Sequence, residues 1–155
     1  VAEISETPVD GADPAIRTAR DTAAAMEGAD AAARGAGIRL LDIGPGRARV
    51  ALTVAEQHLN GHGICHGGYL FLLADSAMAY GSNSHGVSAV ASGADITFLR
   101  PAHLGDELVA EAVERALAGR SGLYDVTVRT GDGGVVAEFR GRTRTVPGLP
   151  GPTAG

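Results

Sequence analysis

The feature that most limits how this chain can fold is the run Gly67-Gly-Tyr-Leu-Phe-Leu-Leu-Ala-Asp-Ser-Ala-Met-Ala-Tyr80. It lacks proline and is strong in helix formers. Its apolar residues Leu70, Phe71, Leu72, Leu73, Ala74, Ala77, Met78 and Ala79 point in nearly every direction round a helix. A helix that is apolar on all sides belongs in an interior, so the rest of the chain must enclose it. The spacing predicts a helix from Gly67 to about Tyr80, stopped by Gly81. A chain of 155 residues, 45% of them hydrophobic, has the length for one domain and enough apolar side chains for its core.

The segments available to enclose the helix read as strands. Residues 38–43 and 48–54 are rich in β-formers and are separated by Gly44-Pro45-Gly46, a hairpin turn. Further strands are expected over 87–91 and 94–99 (one strand if it bends at Gly93), 107–116, 123–130 and 135–146. The last alternates Val136, Phe139 and Thr143 with Arg140, Arg142 and Arg144, after an Asp132-Gly133-Gly134 turn. A polar, glycine-dotted loop spans 56–66. An Ala-rich helix is expected over 15–34, with Ile16, Ala19, Ala23 and Met26 as its apolar stripe, Asp13-Pro14 as its start and Gly35 and Gly37 as its stop. Residues 1–13 read as a loose arm and 147–155 as a disordered tail, leaving a single domain over 14–146. Strands joined by short turns make an antiparallel sheet. A large sheet with one central helix wraps that helix, so the expected class is α+β.

Asp75 sits in the middle of the interior helix. A buried carboxylate without a partner costs several kcal/mol, comparable to the stability margin of a domain. Two readings are open: an Asp paired with Arg or held by backbone amides, or a catalytic carboxylate lining a pocket. The helix opens on His66-Gly67-Gly68. Two glycines let a ligand approach the backbone closely. The unpaired N–H groups of a helix start polarise a carbonyl or hold an oxyanion. Gly67 and Asp75 are about 12 Å apart along a helix rising ~1.5 Å per residue, too far for one small reacting group to touch both. If both act on one substrate, they come from two chains, and the site lies at a dimer interface.

The net charge of −5 and pI near 5.4 argue against a nucleic-acid or anionic-membrane binder. All 13 basic residues are Arg, so no lysine Schiff base can form. The single cysteine, Cys65, excludes an internal disulfide. No apolar run reaches membrane-span length and no signal pattern opens the chain, so a cytoplasmic setting is expected.

The stretch Asn60-Gly-His-Gly-Ile-Cys-His66-Gly-Gly-Tyr-Leu-Phe-Leu-Leu-Ala-Asp75 closely resembles the N-G-x-x-x-x-H-G-G-x-x-F-x-L-A-D signature of hotdog-fold acyl-CoA thioesterases, and most of all their phenylacetate-degradation branch. Asn83-Ser-x-Gly86, Phe98-Leu-Arg-Pro101, Gly105-Asp106, Gly119-Arg120, Gly122-x-Tyr-Asp125 and Phe139-Arg-Gly141 agree with it. The resemblance covers about residues 40–146. It implies five or six antiparallel strands curled round one long helix, dimers joined edge to edge, and dimers paired into tetramers. It implies hydrolysis of aromatic acyl-CoA, with no metal or cofactor beyond the coenzyme A of the substrate. In it Asp75 is the nucleophile or general base, and Gly67 supplies the carbonyl-polarising N–H from the other protomer. Asn60 positions the attacking group, and His66 shapes the site. Gly68 and Ser76 lie beside the substrate, and Arg100 and Arg120 are candidates for the CoA phosphates.

Other chemistries are weaker. His58, His62, His66 and Cys65 would share a helical face suited to zinc, but Asn60, Gly61 and Gly63 oppose a helix there. His58, His62, His85 and His103 are expected in solvent and Cys65 in the core. A hotdog hydratase carries His five residues after the Asp, where this chain has Tyr80. A non-catalytic acyl-CoA sensor, or a thioesterase for short or medium aliphatic chains, stands as the alternative.

Overall fold

The computed structural model describes residues 13–149. Residues 1–12 of the expected 1–13 arm, and the expected tail from 150 onward, lie outside the described residues. Six strands form one antiparallel sheet: β1 (Arg39–Gly44), β2 (Arg47–Thr53), β3 (Ala89–Phe98), β4 (Glu107–Ala118), β5 (Ser121–Thr130) and β6 (Val135–Thr145). Their order is β1-β2-β4-β5-β6-β3. Helix α3 (Gly67–Asn83) lies between β2 and β3 in the chain, and all six strands touch it. This is the hotdog arrangement that the resemblance implies. Leu73, Ala74, Ala77 and Met78 of α3 meet Val50, Leu52, Leu108, Val126, Val128 and Phe139 of the sheet in one core.

The period-two pattern of β6 is realised, with Phe139 and Thr143 buried and Arg140, Arg142 and Arg144 outside. The outer face carries ion pairs between strands, among them Arg49–Glu111, Arg142–Asp95 and a triad in which Asp125 takes both Arg115 and Arg140. The two segments divided by Gly93 are one strand, β3, with a bulge between Ala91 and Gly93.

Several local expectations change. The Ala-rich helix is two helices, α1 (Pro14–Ala29) and α2 (Ala31–Ala36). Asp30 separates them, because its side chain accepts from the Ala33 N–H at 2.9 Å and starts a new helix. Helix α3 runs through Gly81 to Asn83. There Asn83 Nδ2 donates to the Ala79 carbonyl at 2.9 Å and Ser84 Oγ to that of Gly81 at 2.7 Å, so side chains rather than a glycine close the helix. Helix α3 is not enclosed on every side: Phe71 is 37% exposed, and Gly68, Leu72 and Asp75 lie on the same open stripe. His58 is buried, not solvated. Its Nδ1 accepts from the Ala55 N–H at 2.9 Å, so its Nε2 donates to the Ala36 carbonyl, 2.8 Å away. Residues 147–149 form a turn rather than a loose tail.

The two edges of the sheet differ. Helix α1 packs against β1. The outer side of β3, 10 residues long, is paired with nothing among the described residues. No helix among the described residues is long and apolar enough to cross a membrane.

Candidate active site

The loop before α3 is a tight turn built on Asn60. Its Oδ1 accepts from the N–H groups of His62 (2.9 Å) and Ile64 (3.3 Å), and its backbone N–H donates to the Ile64 carbonyl at 2.8 Å. That leaves the Asn60 NH2 as the free end of the side chain. His66 caps α3, with Nδ1 accepting from the Gly68 N–H at 2.8 Å. The N–H groups of Tyr69 and Leu70 donate to the His66 carbonyl. In the first turn of α3 only the Gly67 N–H makes no hydrogen bond among the described residues. It is a fixed donor at the positive end of a 17-residue helix. The Phe98 ring lies beside it, so close that a Cβ on Gly67 would come within 2.9 Å. Gly67, Asn60, Leu70, Phe98, Leu99 and Arg100 line one cavity of about 500 Å³.

Asp75 lines another cavity, of about 370 Å³, with Met78, Ala79, Ser82 and Asn83 of α3. Met26, Ala29 and Asp30 close it from the α1–α2 corner, Ser88–Ala91 from the start of β3, Thr143 from β6, and Leu149 from the final turn. No hydrogen bond or ion pair reaches the Asp75 carboxylate from the described residues. The structural reading, an Asp held by Arg or by amides, is therefore not realised. Burial, and then the Asp30 carboxylate, push the Asp75 carboxyl above its usual range.

The candidates thus fall into two groups. Asn60, Gly67 and Arg100 share one cavity and Asp75 lines the other; the two cavities have no residue in common. Gly68 is exposed beside its cap, and Ser76 is buried in α3 without lining either cavity. Arg100 pairs with Asp132 at 3.0 Å and also borders a polar cavity of about 570 Å³ that continues the Gly67 side. Arg120 stands exposed in the β4–β5 turn and lines neither cavity, so nothing in its position supports substrate binding.

Burial pushes Cys65 up to about 11 and Tyr80 up to about 12, which suits neither to act as nucleophile or base near neutrality. His58 has both ring nitrogens committed to backbone groups, which removes it from any metal set. Sequence reasoning missed Met26, Ala29, Asp30 and Leu149 as cavity residues. Asp30 carried a local signal, an Asp before an Ala run, but nothing in it shows which distant residue the side chain faces.

The sequence model of the thioesterase superfamily matches residues 62–137. The acyl-coenzyme A thioesterase PaaI of Escherichia coli (strain K12) is 45% identical over 124 residues, covering 80% of this chain and 89% of that one. The solved structure of the E. coli PaaI protein from the phenylacetic acid degradation operon superposes with a TM-score of 0.84 at 43% identity, covering 86% of this chain and 97% of that chain. The smu.793 protein of Streptococcus mutans UA159, solved bound to acetyl CoA, superposes with a TM-score of 0.68 at 28% identity, over 70% and 88% of the two chains.

Proposed function

The chain belongs to the thioesterase superfamily and is a thioester hydrolase, and from that premise we propose that it cleaves aromatic, phenylacetyl-type acyl-CoA thioesters to the free acid and CoA at sites shared between two protomers. The carrying observation is the separation of the donor and the carboxylate into two cavities at opposite ends of one open strand. The Asp75 cavity takes in Ser88–Ala91, at the start of β3, and the Gly67 cavity takes in Phe98 and Leu99, at its end. Antiparallel pairing of two β3 edges, centred between Gly93 and Ala94, sets Ala89 opposite the partner's Phe98. Each Asp75 cavity then meets the partner's Gly67 cavity, and two complete sites arise from two halves.

In such a site the Gly67 N–H donates to the thioester carbonyl oxygen and draws electron density from its carbon. One donor of this kind contributes ~3–4 kcal/mol to the transition state. Asp75 of the facing protomer either takes a proton from an attacking water and passes it to the departing sulfur, or attacks that carbon itself to form a mixed anhydride that water then hydrolyses to the acid. In both routes the carbon–sulfur bond breaks and CoA leaves, its sulfur protonated by Asp75 in the first route and by solvent in the second. The free NH2 of Asn60 supplies a hydrogen bond to the attacking oxygen. Arg100, at the mouth shared with the polar cavity, meets the CoA phosphates. The chemistry calls on no metal or cofactor. The low-lying apolar surface of Met26, Met78, Ala79 and Leu149 suits an apolar acyl group, and the aromatic assignment draws on the PaaI relative.

The test is complementation. Gly67→Val and Asp75→Asn are each expected to lose nearly all turnover of phenylacetyl-CoA. A mixed dimer, isolated through two different affinity tags, contains one doubly defective site and one intact site. It should recover about half of the wild-type rate per dimer. A mixed dimer as inactive as its parents would overturn the shared site. Turnover of aliphatic acyl-CoAs alone would move the substrate class, and tight acyl-CoA binding without hydrolysis would favour a sensor.

A further inference from the structure

The wall of the Asp75 cavity contributed by the α1–α2 corner lies outside the residues that the superfamily model matches. Its polar member is Asp30. Two local constraints fix that residue. Its backbone N–H closes α1 on the Met26 carbonyl at 2.9 Å, and its Oδ1 accepts from the Ala33 N–H at 2.9 Å to open α2. Its φ of −82° and ψ of 88° break the helical path between them. The carboxylate is therefore held in place.

Among the described residues that line the cavity, none carries a positive charge to offset it. Helix α3 contributes Met78, Ala79, Ser82 and Asn83 beside Asp75, and the start of β3, β6 and the final turn contribute only uncharged residues. Asp30 and Asp75 are the only ionisable residues among those lining it. Just beyond, Glu27 of α1 and Asp30 both act on the Tyr80 hydroxyl, so the surroundings add negative charge. The arginines of β6 stand on the outer face of the sheet, Arg140 paired with Asp125 and Arg142 with Asp95. Across the proposed dimer seam the partner's Arg100 is held by Asp132, and the partner's His66 caps its own helix.

We propose that Asp30 is a positioning residue for the hydrolysis: its carboxylate, fixed at the α1–α2 corner, shares with Asp75 a cavity whose own lining carries no cation and sets the field in which Asp75 reacts. This rests on the assignment of Asp75 as the attacking or proton-accepting group. Two carboxylates in one poorly solvated space do not ionise together with ease. Among the described residues the Asp30 carboxylate has an N–H donor, that of Ala33, whereas the Asp75 carboxylate has none. The rise in Asp75 has this order of causes: burial first, Asp30 next. A more basic carboxylate is a stronger base or nucleophile once ionised, at the cost of activity on the acid side.

Asp30→Asn separates charge from structure, because Asn caps a helix as Asp does. The Asp75 carboxyl carbon is followed by 13C NMR through a pH titration of the unliganded protein, its resonance identified by its absence in Asp75→Asn. Asp75 is expected to titrate at lower pH in Asp30→Asn than in the wild type, with the fold retained by circular dichroism. The acid limb of kcat for phenylacetyl-CoA should move to lower pH with it, and the plateau should fall. Asp30→Glu, which keeps the charge, should titrate closer to the wild type. An Asp75 midpoint that is the same in wild type and Asp30→Asn overturns the proposal. A midpoint that moves while the acid limb stays, together with turnover surviving in Asp75→Asn, overturns it through its premise, since Asp75 is then not the reacting group.

Discussion

Asp75 and His58 are both polar residues set among apolar neighbours, and they are treated in opposite ways. His58 is 1% exposed and has a backbone partner at each ring nitrogen. Its role is to tie the loop before α3 to the end of α2. Asp75 has burial and a like charge but no partner among the described residues, an arrangement that lowers stability and raises reactivity. Two effects of Asp75→Asn follow. Turnover should fall by roughly 10²–10⁴ if the carboxylate is the base. Stability should move the other way. The folded carboxyl binds its proton more tightly than the unfolded one, so folding loses free energy as pH rises from the unfolded value of about 4 through the folded one. The variant should therefore melt above the wild type at pH 7, and the gain should vanish below about pH 4. Equal melting at both pH values would show that Asp75 bears no such penalty. Asp75 and Gly67 stand out in the sequence by themselves, a charge in an apolar helix and a glycine pair at a helix start, whereas Asn60 is an ordinary turn residue and stands out only through the family resemblance. Asp30 does not stand out, because a helix cap looks the same whether or not its carboxylate faces a cavity 45 residues further along the chain.

Among the elements, strands were read well and helix ends less well, for a physical reason. The alternation in β6 is set by the sheet itself, one face on the core and one in water. The end of α3 is set by Asn83 and Ser84, which reach carbonyls one turn back, and Gly81 is simply a tolerated helical residue. Likewise the split at Asp30 reflects a hydrogen bond that outweighs the helix preference of its Ala neighbours. On the outer face, Asp125 joins β4, β5 and β6 by accepting from Arg115 and Arg140. Hydrogen bonds from Arg140 above all, and from Arg115, draw its carboxyl down to about 2 against the burial that opposes them. A depressed carboxyl contributes stability that is present above about pH 4 and lost as pH falls toward 2. Both arginines are more than half exposed, so solvent screening limits the gain. Arg140→Gln should lower the urea midpoint slightly at pH 7 and by less as pH falls toward 2, where Asp125 takes up its proton. A cost independent of pH would assign the loss to packing of the Arg stem.

For the whole molecule, the open edge of β3 governs what happens next. Long unpaired strands with exposed apolar residues associate unless something blocks them. Val90 at one end of β3 and Phe98 at the other are 42% and 52% exposed, and Asp95 is the only charged residue of the strand. Replacing both Val90 and Phe98 by Glu removes the exposed apolar residue at each end of the strand and puts a charge there, which blocks edge-to-edge pairing. The double variant should sediment as a monomer with its circular dichroism retained, whereas an unchanged oligomer would exclude pairing through β3. The proposed seam is legible in sequence only as a distance, the length of helix between Gly67 and Asp75. The edge that bridges that distance depends on strand order, which no local pattern encodes.

Cys65, the single thiol of the chain, lines the cavity beside Gly67, where the sulfur of CoA is released in the proposed reaction. It is 4% exposed, and burial pushes it up to about 11, so near neutrality it stays protonated and inert. A thiolate at that spot would exchange with oxidised CoA and trap the enzyme as a mixed disulfide. A buried, protonated sulfur is a poor partner for that exchange, so Cys65 is expected to stay reduced beside the departing CoA even where CoA disulfide is present.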